Sequence, residues 1–169
     1  MEAEVFKPLG MEHTHPDRAG AVDPDRTLFY KKSTDGKFVE AEPINSSYKW
    51  AGGGFLSTAE DLVRFGSALL RDGYFDEASR ELLFTSQKTT DGKPTGYGIG
   101  WFVRKDAEGR PFYYHTGGQQ GSTALIFLQP HNHLTVALVC NLSEADIIGE
   151  GKEIADLFTV STVESATAK

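Results

Sequence analysis

Cysteine is nearly missing from this chain. Cys140 is the only one, which excludes an intramolecular disulfide framework. It lies inside the apolar run "LTVALVCNL" and reads as a core thiol rather than a nucleophile. Clusters of basic residues are lacking as well. The 17 Lys and Arg are outnumbered by 24 Asp and Glu for a formal charge of −7, so no electrostatic surface for nucleic acid is expected. No apolar run approaches the roughly 20 residues of a spanning helix, and the opening "MEAEVFKPLG" has no basic region followed by an apolar stretch. No internal repeat is visible, which argues against a solenoid. His13 with His15, and His131 with His133, are spaced as alternate residues, but no third convergent ligand accompanies either pair. We assign them to turns or solvated loops and assign no metal.

What is present falls into three stretches. The first fifty residues are interrupted by Pro8, Gly10, Pro16, Gly20 and Pro24, which predicts turns and extended backbone. Short strands are expected around Thr27 to Lys32 and Lys37 to Glu40, joined by a turn at Asp35-Gly36. The segment "WAGGGFLSTAEDLVRFGSALLRDGYF" then takes on helical spacing. Ser57 is the expected N-cap with Glu60 completing a capping box, Leu62, Phe65, Leu69 and Leu70 form the apolar stripe, and Gly73 is the stop signal. A shorter helix is expected over Glu77 to Phe84. The triplet Gly52, Gly53 and Gly54 lacks the spacing of a dinucleotide fingerprint, and Gly98 with Gly100 makes no phosphate loop.

From Tyr97 the spacing becomes that of strands. "YGIGWFVRK" and "RPFYYHTG" flank "DAEG", and "STALIFLQP" and "LTVALVCNL" flank "HNH", which predicts two hairpins. The runs Ala124 to Leu128 and Val136 to Cys140 are nearly continuous, as in strands covered on both faces. A last helix is expected over Asp146 to Phe158, capped from Ser143 and weakened by Gly149 and Gly151. The pattern is that of an α+β domain in which helices flank an antiparallel sheet. It is expected over 1–160, with a mobile tail at 161–169. Between the second and third strands, "HTGGQQG" reads as a polar, glycine-rich break, with more chemistry in it than a turn requires.

"VFKPLGMEHT", "GGGFLSTAEDLVRFGSALL", "GYGIGW" and "HTGG", in that order and followed by two apolar strands and an asparagine, resemble the distal half of the serine beta-lactamase-related family. That family includes penicillin-binding proteins, class C beta-lactamases and related esterases. The resemblance implies a partial beta-lactamase/transpeptidase-like fold and acyl-transfer chemistry without a cofactor. It implies three motifs: S-x-x-K, a tyrosine motif, and a final K-T-G that some relatives write H-x-G. The last matches His115, Thr116 and Gly117. Gly118 matches the position whose backbone amide helps to form the oxyanion hole. His115 is the implied catalytic contact, and Thr116, Gly117 and Gly118 are the implied substrate-binding positions.

The family places its S-x-x-K and tyrosine motifs ahead of "PLGM", a region this chain does not cover. A formal S-x-x-K at Ser46 to Lys49, "SSYK", follows "PLGM" and adjoins a glycine triplet, so it is read as coincidental. The expectation is the C-terminal segment of a serine hydrolase acting on an ester, amide, peptide or beta-lactam, inactive by itself. The alternative is a noncatalytic scaffold or one chain of a split assembly. Expected partners are a small-molecule or peptide acyl substrate in the complete protein and, at the exposed sheet edge, the missing N-terminal portion or another chain. The family includes mitochondrial members, which leaves that compartment open.

Overall fold

Strand pairing of the apolar runs sets the architecture, and the connections before them are short and irregular. In the computed structural model the backbone is described for residues 1–167 and the side chains through Phe158. A π-turn over Glu2–Phe6 leads into the single turn α1 (Lys7–Leu9). β1 (His15–Pro16) comes next, followed by the hairpin of β2 (Tyr30–Lys32) and β3 (Phe38–Glu40). As expected, Gly36 closes that hairpin at φ 82°, its N–H donating to Ser33 O. β4 (Phe55–Leu56) returns antiparallel to β1. Phe6 is buried and meets the edge of the Phe55 ring at 5.5 Å.

α2 runs over Ala59–Leu70 and α3 over Glu77–Phe84. The N-cap of α2 is Thr58 rather than Ser57, since the Thr58 hydroxyl accepts from the Asp61 N–H at 3.2 Å. Ser57 Oγ is held instead by Thr14 Oγ1 at 2.8 Å, so the capping pair shifts by one residue to Thr58 and Asp61. The helix ends at Leu70, ahead of Gly73. α3 begins where expected, with Asp76 accepting from the Ser79 N–H at 2.8 Å.

β5 (Phe102–Lys105), β6 (Pro111–Gln119), β7 (Ser122–Gln129) and β8 (Leu134–Cys140) form one antiparallel sheet in the order β5-β6-β7-β8. Two expectations are corrected here. The stretch from Tyr97 to Trp101 is a tight turn, closed by the Gly98 N–H to Trp101 O at 2.8 Å, and it drops Trp101 into the core beside Phe84. The second correction concerns His115 to Gly118, which are not a break between strands. They continue β6 in register with β7, and the connection is confined to Gln120 and Gly121, the latter at φ 85°. Glycine-rich backbone serves here as strand because β7 offers a ladder partner to every second residue of the stretch.

Helices lie on both faces of the sheet and bury β7 from Leu125 to Gln129, whereas in β8 only Val136 is buried and Val139 stays exposed. On one face, α2 and α3 bring Leu69, Leu70 and Phe84 against Trp101, Ile126 and Leu128, with Tyr113 stacked on Phe84 at 4.2 Å. On the other, α4 (Ile147–Thr167) brings Ile147 and Ala155 against Leu125, Phe127 and Val136. The last helix extends beyond Phe158, to Thr167. Residues 168–169 lie outside the described residues. Ser143 does not cap α4. Its hydroxyl accepts from the Gly121 N–H at 2.6 Å, tying down the β6-β7 turn, and Asp146 Oδ1 accepts from the Gly149 N–H. No helix among the described residues is long and apolar enough to cross a membrane.

Gly66 and Gly151 mark the closest approach of a helix to each face. A Cβ at Gly66 would lie 2.6 Å from Thr135 Cγ2 and 2.8 Å from Leu128 Cδ2, and one at Gly151 would lie 2.2 Å from Leu125 Cδ2. The low helix propensity of Gly151, about 1 kcal/mol below alanine, is offset by packing a bulkier residue would prevent. Gly149 has no such neighbour, its nearest contact being Asp146 Oδ2 at 3.4 Å. Gly151→Val is expected to lower stability by about 1–3 kcal/mol through overpacking. Gly149→Ala is expected to raise it by up to about 1 kcal/mol. Denaturant unfolding of the two variants measures both, and equal effects would contradict this helix-sheet contact.

Candidate active site

The chemistry suggested for His115 to Gly118 depends on which way each backbone group points. Val103 lies opposite Tyr113 in the β5-β6 ladder, yet its N–H donates outward to Gly96 O at 2.9 Å. Val103 and Tyr113 are therefore a non-hydrogen-bonded pair, and Tyr114 is the residue whose N–H and C=O face β5. Alternation then turns the N–H and C=O of Thr116 and Gly118 to that same side, and those of His115 and Gly117 toward β7. The pairing with β5 stops at Tyr114, because the chain before Phe102 bends away at Gly100, φ 79°. Thr116 and Gly118 thus present their amides along an edge that β5 leaves open.

The two faces of β6 are unfilled at the glycines beside that edge. A Cβ at Gly117 or Gly118 would meet nothing within 4 Å, so no neighbour in the chain dictates glycine there. Strand alternation sends the His115 side chain to the α2 face along with Tyr113 and Gln119, and the Thr116 side chain to the α4 face. His115 is exposed, with its ring 6.2 Å from that of Tyr97 and 6.3 Å from that of Phe102. Burial pushes the Tyr113 phenol above its ordinary value. The geometry offers backbone donors beside an accessible imidazole, an arrangement suited to charge developing on a carbonyl oxygen.

At the far end of β6, Gln119 gathers a contact that sequence spacing did not suggest. Its Oε1 accepts from Lys49 Nζ at 2.8 Å and from Ser46 Oγ at 3.3 Å, while its Nε2 donates to Gly53 O. The "SSYK" residues are therefore brought to one acceptor. They sit on a loop, not on the first turn of a helix, and Ser46 is only 3% exposed. A serine that donates to a glutamine oxygen, with its lysine on that same oxygen, is held structurally. Nucleophilic activation requires a base as its acceptor.

A second linkage missed at the sequence level is built around Asp61, which is fully buried. It accepts from the His13 N–H at 2.9 Å, Thr14 Oγ1 at 2.8 Å and Arg64 Nη1 at 2.9 Å. This carboxylate joins the start of α2 to the segment preceding β1. The sequence signal for it is the spacing from Thr58 to Asp61, which competes with that from Ser57 to Glu60.

The remaining candidates are dispersed. His15 pairs with Asp23 at 3.2 Å, and His131 and His133 occupy the β7-β8 turn, at the opposite end of the sheet from Gly118. Cys140 is a half-buried free thiol on β8. A recess of about 720 Å³ lies beside the N-terminal turns among Phe6, Met11, His15, Arg18, Trp50 and Phe55. It does not include His115 to Gly118. We place the candidate site on the β6 edge because directed backbone donors occur there.

Comparison with known sequences identifies the class of protein to which this fold belongs. The sequence model of the Beta-lactamase family matches residues 1–157, and the chain belongs to that family. Among curated relatives, it is 26% identical over 190 aligned positions to human "Serine beta-lactamase-like protein LACTB, mitochondrial", covering 90% of this chain and 35% of that protein. It is 28% identical over 88 positions to "Penicillin-binding protein 4*" of Bacillus subtilis, covering 52% of this chain and 20% of the relative. The chain thus spans about a third of the length of the LACTB relatives. Among solved structures, a D-stereospecific amidohydrolase from Streptomyces sp. superposes with a TM-score of 0.72 at 24% identity, over 90% of this chain and 46% of that one. A penicillin-binding protein from Bacillus halodurans superposes with a TM-score of 0.70 at 20% identity, over 94% and 48%. These two establish the shared fold.

The arrangement at Ser46 makes a direct prediction. The chain by itself is expected to form no stable adduct with a beta-lactam reporter or a serine-directed fluorophosphonate, as read by peptide mass spectrometry. Stoichiometric labelling of Ser46 that disappears in Lys49→Ala would show a self-contained nucleophile and contradict it.

Proposed function

We propose that this chain supplies one wall of a serine acyl-transfer site in a hydrolase of the beta-lactamase family, and that the nucleophile comes from outside the chain. The observation that carries the reading is the pair of amides at Thr116 and Gly118 on the open edge of β6, with His115 beside them. In the complete protein, a serine attacks the carbonyl of an ester, amide, peptide or beta-lactam. A lysine and a tyrosine, also outside this chain, handle its proton. The Gly118 N–H stabilises the oxyanion as it develops, an interaction stronger in the transition state than in the ground state. His115 donates to the acyl intermediate or contacts an anionic substrate group, and Thr116 adds a hydroxyl. Water then releases the acyl group. The family membership supports the reaction class, and the names of the structural relatives, an amidohydrolase and penicillin-binding proteins, support amide or peptide carbonyls among the substrates.

A second reading is favoured by one observation. β8 is the outer strand of the four-stranded sheet, so its far edge is open to another strand among the described residues. Such an edge suits pairing with the remainder of the domain or with a separate chain, and a noncatalytic scaffold would use it in the same way.

When the missing portion is restored in one chain or as a partner, His115→Ala is expected to raise the barrier to hydrolysis of a short-chain ester by about 2–4 kcal/mol. The change in folding stability is expected to stay under about 0.5 kcal/mol, as for an exposed position. His131→Ala at the distal turn is expected to change neither. Paired kcat/KM and denaturant measurements separate the two roles. A loss of activity that only tracks the loss of folded protein would make His115 structural.

A further inference from the structure

We propose that Gln119 is a positioning residue that docks the glycine-rich loop 46–53 onto the end of β6, so that the loop forms the second wall of the candidate site. One amide group spans the loop. Its oxygen takes Ser46 Oγ and Lys49 Nζ at the loop's start, and its nitrogen gives to Gly53 O at the loop's end. The two donors and one acceptor fix the amide orientation. Residues 115, 117 and 119 alternate onto one face of the sheet, so the docked loop lies on the His115 side. At about 3.3 Å per residue, it lies roughly 13 Å from His115 along the strand.

The loop is compact enough to transmit the contact. The Lys49 N–H donates to Ser46 O at 3.1 Å, the Gly52 N–H to Lys49 O at 2.8 Å and the Gly54 N–H to Trp50 O at 3.3 Å. Gly54 leaves no room for a side chain, since a Cβ would lie 2.6 Å from Ser46 O. Elsewhere the loop is tied by Trp50 Nε1, which donates to Asp17 O at 3.3 Å, and by the Asp17 N–H, which donates to Gly54 O at 2.8 Å. Both of those ties lead to the β1 segment. Gln119 joins the loop to the strand that carries the backbone donors.

That the loop bounds an acyl pocket rests on the acyl-transfer reading; the docking itself does not. Hydrogen exchange on the chain therefore tests the docking without any activity. In Gln119→Ala, the amides of Lys49, Gly52 and Gly54 are expected to exchange at least about tenfold faster, while β7 and β8 keep their protection. Gln119→Glu keeps an oxygen for Ser46 and Lys49 but loses the donor to Gly53. It is expected to leave Lys49 protected and to release Gly54. Unchanged exchange at all three amides in the alanine variant, or no difference between Lys49 and Gly54 in the glutamate variant, would overturn the assignment. If the alanine variant loses protection throughout the sheet, the glutamate variant decides alone. In the completed protein, Gln119→Ala is expected to raise KM for a bulky acyl substrate at least about tenfold with a smaller change in kcat. An unchanged KM would overturn the wall role. If the completed protein hydrolyses nothing, the acyl-transfer reading fails and the exchange result still stands.

Discussion

Everything proposed for this chain depends on the unequal pairing of one strand. β6 is hydrogen-bonded to β7 from Tyr113 to Gln119, but to β5 only from Pro111 to Tyr114. A backbone N–H in a folded protein needs a partner. Where β5 ends, the amides of Thr116 and Gly118 are left to find one elsewhere. The rigid ladder with β7 keeps their direction constant, which is the preorganisation that makes a donor effective toward developing charge. Glycine at 117 and 118 leaves room for a ligand to approach.

The covering helices hold that strand in place. α2 presses on the sheet at Gly66 and α4 at Gly151, and the core on each face closes around β7, whose Leu125 and Leu128 are essentially inaccessible to solvent. β6 is held because it pairs along Tyr113 to Gln119 with β7, which is buried from Leu125 to Gln129. Asp61 extends the same order outward by fastening the residues before β1 to the first turn of α2. Gln119 fastens the glycine-rich loop to β6 from the other side.

The parts legible in the sequence are those governed by short-range pattern. The runs at Ala124 to Leu128 and Val136 to Cys140 revealed antiparallel strands, the first buried from Leu125 to Leu128 and the second buried only at Val136, and Asp76 marked the start of α3 to the residue. Caps were less secure where two hydroxyl residues adjoin: Ser57 and Thr58 compete for one role, and only the Thr14 contact decides between them. "HTGG" read as a break because glycine and polar residues commonly end strands, but a ladder partner contributed by β7 overrides that local preference. Ser143 fitted a cap by spacing and instead holds a turn that lies close only in the folded chain. The meeting of Ser46, Lys49 and Gln119 was out of reach for the same reason. It joins segments about seventy residues apart, and no local spacing encodes it.

The central claim is that the Gly118 amide addresses an oxyanion formed by a serine outside this chain. The most direct measurement is a crystal structure of the completed protein after reaction with a fluorophosphonate, whose tetrahedral phosphoryl group imitates the acyl-transfer intermediate. The account predicts an adduct on a serine absent from this chain, with the phosphoryl oxygen about 2.7–3.1 Å from the Gly118 nitrogen and the β6 edge unaltered. An adduct on Ser46, Ser57 or Ser122, or a phosphoryl oxygen directed away from β6, would contradict it.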